Sequence, residues 1–292
     1  MDTDRKFPLF LNRFWIKIIA MIAMTLDHVG YVFSILPLRY IGRLALPLFC
    51  FLIAEGVMHT RSFKKYALRL GVMASAISII VIGSHEIPYF RNNGLSMRDE
   101  GIIFVDLLLG ALGVYLLMQK KWYLKALVIL PIAFGALSYF SICYESCRCY
   151  GLILWFPYFI RCQYGWYGIV LIIGFYLVHQ LARLFFKYLG SISGVDGETY
   201  KGTFYERLAL NLIAILMLAF VTIACYLIDL MMDRYFYAPP YMIEVQLMSL
   251  LSGAFILLYN GRPGYNKKWF QYGCYLYYPL HIALVSLLLL VF

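Results

Sequence analysis

Apolar residues recur along the chain in runs of roughly twenty, separated by short polar or basic breaks, with none of the alternation of a β-barrel. Each run is close to the roughly 20 residues that a helix needs to cross a bilayer. The pattern predicts spans at about 14–36, 40–58, 66–83, 101–118, 122–140, 164–182, 208–230, 243–259 and 270–290. Backbone groups in hydrocarbon must be satisfied within the segment itself, so such runs become helices. Gly151 to Ile160, interrupted by Pro157, is too short to cross and reads as a re-entrant or interfacial helix. The expected fold class is all-α, a polytopic transmembrane helix bundle of about nine to ten helices. Residues 1–292 are expected to form a single integral membrane domain, with Ser191–Gly197 as its one flexible linker.

Composition agrees with that pattern. The chain is 63% hydrophobic and 14% charged, with a mean hydropathy of +0.77. Soluble domains carry about half apolar and roughly a quarter charged residues. The formal net charge of +10 is gathered in short loops rather than in a basic domain, which reads as topology and excludes nucleic acid as a partner. Arg5, Lys6 and Arg13 place the N-terminus in the cytoplasm. Arg61, Lys64, Lys65 and Arg69, then Lys120, Lys121 and Lys125, then Arg183, Lys187, Lys201 and Arg207, and finally Arg262, Lys267 and Lys268 form the other basic loops. All of them face inward only if Gly151–Ile160 does not cross, which favours nine spans over ten and puts Phe292 outside. Asp2 to Arg13 is polar and the first apolar run is full length, so no cleavable signal peptide is expected. The chain is expected as a multi-pass protein of the cytoplasmic membrane of a bacterium, with the lipid bilayer as its surroundings.

Cys50, Cys225 and Cys274 fall inside apolar runs and read as small core residues. Cys143, Cys147 and Cys149 cluster in an expected loop from Ser141 to Tyr150 without the paired spacing of a zinc site, so no metal is implied. If that loop faces outward, a disulfide can form there.

Ionisable residues within membrane helices are costly and mark functional candidates. They are Lys17, Asp27 and His28 in the first span, Arg43 and Glu55 in the second, Asp106 in the fourth and His281 in the last. Lys17 and His28 are eleven residues apart, so on a helix they lie about 20° from one another and about 16 Å apart along the axis. That reach is comparable to a phosphopantetheine arm, so an acyl-CoA held by phosphates near Lys17 would present its thioester to His28. Neutral imidazole suits the role of general base near neutral pH. Asp27 points about 100° away from His28, and Arg43 can pair with Asp27 or Asp106 or steady an oxyanion. Tyr277 and Tyr278 stand one turn before His281 and can share its face. Structural alternatives stand beside each of these. Lys17 with Glu55, and Asp27 with Arg43, can be plain ion pairs; His281 can bond a neighbouring helix; His28 can be a packing residue. Asn260–Gly264 reads as a turn, with a role in binding CoA phosphates as the alternative.

The residues Lys17-x10-His28 are similar to the Arg/Lys-x10-His motif of acyltransferase family 3 membrane enzymes. More closely, Lys17-Ile-Ile-Ala-Met-Ile-Ala-Met-Thr-Leu-Asp27-His28-Val-Gly30 resembles the opening of the TraX family. So does Ile41-Gly-Arg43-Leu-Ala-Leu-Pro47-Leu-Phe-Cys-Phe-Leu-Ile-Ala-Glu55-Gly56, followed by His59-Thr60-Arg61. Near the end, Leu258-Tyr-Asn260-Gly-Arg262-Pro-Gly and Tyr277-Tyr278-Pro279-Leu280-His281 resemble the family's closing motif. The resemblance covers about 15–118 and 245–285.

TraX proteins include the enzyme that acetylates the N-terminal amine of conjugative pilin. The resemblance therefore implies transfer of an acyl group, with acetyl-CoA as donor, to a membrane-associated acceptor protein or glycan. His28, Asp27 and Arg43 would carry the chemistry, Lys17 and Arg61 would hold the acyl-CoA, and Glu55, Asp106, Tyr278 and His281 would meet the acceptor. Two other classes compete: a secondary transporter, against which no inverted repeat is visible, and a non-catalytic assembly factor for a surface polymer. Dependence on a CoA thioester separates the enzyme from both.

Overall fold

The computed structural model describes residues 9–89, 101–146, 156–193, 202–236 and 243–291. Their regular structure is helical, and the only strand-like feature among them is a single bridge between Leu11 and Tyr259. The helices are α1 (Arg13–Val32), α2 (Leu36–Gly42), α3 (Ala45–His59), α4 (Phe63–Glu86), α5 (Ile103–Leu117), α6 (Trp122–Ala126) and α7 (Ile129–Ser146). After a 3-10 turn at Tyr158–Ile160 come α8 (Trp166–Ser193), α9 (Phe204–Phe236) and α10 (Ile243–Leu247). A second 3-10 turn, Met248–Leu251, leads to α11 (Ser252–Leu257) and α12 (Lys268–Val291).

Six stretches among the described residues are long and apolar enough to cross a membrane: Arg13–Val32, Leu36–His59, Phe63–Glu86, Trp122–Ser141, Trp166–Ile192 and Phe204–Met231. Ile103–Leu117 and Val245–Leu257 are apolar but shorter. Large apolar side chains such as Phe220, Leu216 and Ile79 are exposed along these helices, as lipid-facing residues should be.

Several expectations need correction in detail. The second span begins at Leu36, because Pro37 sits in the first turn of α2, where its missing N–H costs nothing. That stretch also breaks after Gly42, since Pro47 has no N–H to offer the carbonyl of Arg43. The expected Ser141–Tyr150 loop starts later: α7 runs to Ser146 and takes Cys143 with it, there being no Gly or Pro to stop it before Gly151. Cys147 and Cys149 lie outside the described residues. The Ser191–Gly197 linker is likewise helical through Ser193, the remainder lying outside. Of Gly151–Ile160, the described part after Pro157 is one 3-10 turn.

The chain divides into two compact units. The first comprises Met1–Leu52, Gly174–Thr222 and Glu244–Phe292. In it Leu11 donates its N–H to the Leu258 carbonyl at 3.1 Å and accepts from the Asn260 N–H at 2.9 Å. Asn12 then caps α1 by accepting from the Trp15 N–H. The side-chain amide of Asn211 donates to the carbonyls of Leu257 and Tyr259, fixing the turn that leads into α12. At the other end of α1, Ser34 takes a left-handed conformation at φ 56° and the Ile35 N–H closes back on the Gly30 carbonyl. This cap reverses the chain into α2.

The second unit comprises Ile53–Ile173 and Ile223–Ile243. Gly110 and Gly113 of α5 and Gly135 of α7 lie close against Ile172, Ile173 and Ile169, where a Cβ would sit 2.4–2.7 Å from the isoleucine methyls. Small residues at such contacts let membrane helices approach closely.

Candidate active site

The site is built on α1, α2 and α12, all within the first unit. On α1, Thr25 and His28 are one turn apart, and on α12 so are Tyr277 and His281. The Thr25 hydroxyl donates to the Met21 carbonyl and lies 2.5 Å from the Tyr277 hydroxyl, which donates to it. Tyr277 stacks nearly parallel on the His281 ring, with centroids 5.2 Å apart. His281 is held opposite His28, Nε2 to Nδ1, at 3.3 Å.

These contacts set both tautomers. His28 Nδ1 is 2.7 Å from the Met24 carbonyl, and His281 Nδ1 is 2.9 Å from the Tyr277 carbonyl. A carbonyl only accepts, so each Nδ1 carries the proton in the neutral ring. His281 Nε2 is then an acceptor for the His28 Nδ1–H, which it shares with Met24. Nε2 of His28 is left with a lone pair that no described residue engages. Tyr278 packs edge-on to both imidazoles, 6.4 Å from His28 and 5.5 Å from His281.

Asp27 faces α2 instead. Its Oδ1 is 3.3 Å from Arg43 Nη2 and 3.7 Å from Arg39 Nε. Gly42 makes this approach possible, since a Cβ there would lie 2.2 Å from the Asp27 Cβ. Two guanidinium groups on one carboxylate leave the cluster net positive. Nε of Arg43 and Oδ1 of Asp27 are buried with no hydrogen bond among the described residues, so the pair contacts through charge rather than an aligned bond.

Lys17 lies at the other end of α1, with Nζ 5.7 Å from the centroid of Phe270. Phe270 and His281 are eleven residues apart, as are Lys17 and His28. The two helices therefore run parallel, and both Lys17 and His28 address α12.

The remaining expected site residues belong to the second unit. Arg61 is exposed in the turn between α3 and α4. Glu55 is 2% exposed, with Oε2 3.8 Å from Nδ1 of His59. Asp106 is fully buried and accepts from the backbone N–H of Gln163 at 2.7 Å and of Tyr164 at 3.1 Å. Both its oxygens are thus used to hold the segment that leads into α8.

Arg39, Thr25 and Gly42 were not singled out from the sequence. Arg39 carries a signal in hindsight, standing four residues before Arg43 and so on the same helical face. Asp229 reads in sequence as an end-of-span charge, yet it accepts from the Tyr139 hydroxyl and lies 3.7 Å from the Cys225 thiol.

Residues 12–242 match the TraX protein family, a range that includes α1, α2 and the Asp27–Arg43 pair. The chain belongs to the TraX family. This TraX protein is also 27% identical to a probable fimbrial assembly protein FimC, serogroup H1, of Dichelobacter nodosus, over 94% of each chain. An uncharacterized protein of Rickettsia prowazekii is 33% identical over 112 residues, covering 32% of this TraX chain and 44% of its own. No solved structure matches.

Proposed function

We propose that this protein is a membrane-embedded acyltransferase that moves an acetyl group from acetyl-CoA to an amine or hydroxyl of a membrane-associated acceptor, in the cytoplasmic membrane of a bacterium. The observation that carries this reading is the free Nε2 of His28, fixed as a base by the contacts at Nδ1. In the reaction, the acceptor N–H or O–H gives its proton to His28 Nε2 as its heteroatom bonds to the thioester carbonyl carbon. The carbon–sulfur bond then breaks, and the CoA sulfur leaves with the proton that His28 returns. A positioned base of this kind contributes about 10²–10⁴-fold.

While His28 is protonated, its Nδ1–H is a stronger donor to Met24 and His281, so His281 steadies the imidazolium and keeps the ring aimed. The Asp27–Arg39–Arg43 cluster adds a net positive charge beside a developing oxyanion, with the buried Arg43 Nε as a donor still without a partner. Lys17 serves the donor's phosphates. The parallel run of α1 and α12 supports an odd number of crossings, nine rather than ten. The name of the Dichelobacter relative supports an acceptor among the subunits of a surface fibre.

The test uses the full chain in phosphatidylcholine nanodiscs with acetyl-CoA and a peptide bearing a free N-terminal amine. CoA thiol release with a matching acetyl mass increment on the peptide, lost in His28→Ala, is expected. Wild-type protein that never releases CoA thiol from acetyl-CoA, with peptide, hydroxyl or glycan acceptors alike, would overturn the reading in favour of non-catalytic assembly.

A further inference from the structure

At the Lys17 end of α1, the first unit carries an aromatic cluster that the transfer step does not use. Phe14 touches Tyr265 and Phe270 edge-on or tilted, at 5.8 and 4.9 Å. Tyr265 in turn meets Trp269 at 5.9 Å. The indole N–H of Trp269 donates to the Tyr265 hydroxyl at 2.9 Å, which locks the two rings as a pair. Interfacial tryptophans ordinarily offer that N–H to headgroups and water. In this pair it is engaged within the protein, although Trp269 remains 66% and Tyr265 41% exposed.

Two cations flank this aromatic cluster. Lys267 Nζ is 5.9 Å from the Tyr265 centroid, and Lys17 Nζ stands over Phe270 within the same cluster. The backbone of Arg262 is held in the turn before the pair, its carbonyl accepting from the Arg13 N–H at 2.9 Å and its N–H donating to the Asn260 side chain at 2.9 Å. Gly264, at φ 66°, packs on Asn12 so closely that a Cβ would lie 2.4 Å from its side-chain oxygen. The Gln271 side chain bonds both the carbonyl and the side chain of Asn266, fixing the residues just before Lys267. From residue 258 to the C-terminus the chain has no acidic residue at all.

We propose that the Tyr265–Trp269 pair, with Lys17, Arg262 and Lys267, receives the 3′-phosphoadenosine diphosphate end of the acyl-CoA donor. The inference rests on the acyltransferase reading and places the donor's nucleotide within it. Its chemistry is a purine that stacks on a hydrogen-bonded aromatic pair while several phosphates meet several cations carried on one turn and on α1. The parallel register of α1 and α12 gives the distance its meaning. Lys17–Phe270 and His28–His281 are eleven residues apart on both helices, about 16 Å, so a nucleotide held at one end leaves the thioester at the other.

The test pairs a binding measurement with a kinetic one on the full chain in phosphatidylcholine nanodiscs. Adenosine 3′,5′-bisphosphate should bind, and Trp269→Ala or Lys267→Ala should weaken it on the order of tenfold. In turnover, Trp269→Ala should lower kcat/KM for acetyl-CoA relative to acetyl-pantetheine, which lacks the nucleotide, by a similar factor. Trp269→Phe, which keeps a stacking ring, should recover most of that ratio. If the variants turn over but the ratio is unchanged, the nucleotide site is overturned while the transferase reading survives. If no donor reacts yet the bisphosphate binds and the variants lose it, the nucleotide site stands and the transferase reading falls. If, in a parallel series with phosphatidylglycerol mixed into the nanodiscs, the variants alter only the dependence on that lipid, the pair is a lipid belt and the proposal is overturned.

Discussion

Nε2 of His281 stands 3.3 Å from Nδ1 of His28, with the two rings inclined at 76°, across parallel helices that begin and end the described chain. Each ring gives its own Nδ1–H to a carbonyl four residues back, which helical geometry supplies without any long-range partner. The long-range element is Tyr277, tied to Thr25, which places the second ring against the first.

His28→Ala is expected to leave a monodisperse protein in detergent and to lower turnover about 10²–10⁴-fold. His281→Leu removes only the acceptor at Nδ1, so it should lower kcat by a smaller factor with little change in KM for the donor. His281→Gln keeps an acceptor oxygen and should fall between His281→Leu and wild type. Turnover and size-exclusion profiles measured on the same samples check this. A well-folded His28→Ala protein with near-normal turnover contradicts the mechanism.

Gly42→Ala would push a Cβ to 2.2 Å from that of Asp27, so α2 must move off α1 and the Arg43 contact must lengthen. Overpacking of this kind costs about 1–3 kcal/mol, which should appear as a lower thermal midpoint together with lost activity. Gly71→Ala on α4 is the control. Its Cβ would meet nothing within 4 Å, and relief of a helical glycine should raise stability by about 1 kcal/mol. Equal midpoints for the two variants would refute the close approach.

How far the site was legible from sequence depended on how local each relation is. The shared face of Lys17 and His28 follows from helical period alone, and the structure keeps it, because both face α12. The partnership of Asp27 with Arg43 is one of the pairings the sequence offers, whereas nothing in it but the spacing from Arg43 marks Arg39. Arg39 falls in the short gap, 37–39, between the expected spans 14–36 and 40–58, whereas the structure makes it part of α2, with Pro37 in the first helical turn. Asp106 was beyond reach for another reason. Its partners are 57 and 58 residues away, and no periodicity links them. The same holds for Asp229 and Tyr139, 90 residues apart. Membrane helices announce themselves by composition, whereas which polar residues meet is decided by packing.

Asp106→Ala should therefore act on folding before it acts on catalysis. It strips acceptors from the part-buried N–H groups of Gln163 and Tyr164, at up to about 1–3 kcal/mol for each donor left unsatisfied. Reduced yield of folded protein and a lower thermal midpoint are expected, with Asp106→Asn milder because one oxygen remains. A stable Asp106→Ala protein whose KM for the acceptor alone has risen would instead give Asp106 a substrate role.

The parallel pairing of the first and last helices also fixes a topological outcome. Lys17 meets Phe270, Thr25 meets Tyr277 and His28 meets His281, so α1 and α12 advance in the same direction. Two parallel spans have an odd number of crossings between them, so the total is expected to be odd, with the chain ending on the side opposite its start. By the positive-inside rule, Arg5, Lys6 and Arg13 lead us to expect that start in the cytoplasm. A reporter fused after Phe292 should then be active only outside the cytoplasmic membrane, and one inserted in the basic Lys187–Arg207 segment only inside it. A cytoplasmic signal after Phe292 would require an even number of spans, and α1 and α12 would then run antiparallel. The pairs Lys17–Phe270 and His28–His281 could not both form in that arrangement, and a bifunctional thiol reagent spanning cysteines placed at 25 and 277, expected to join them because the native hydroxyls meet there, would fail to do so.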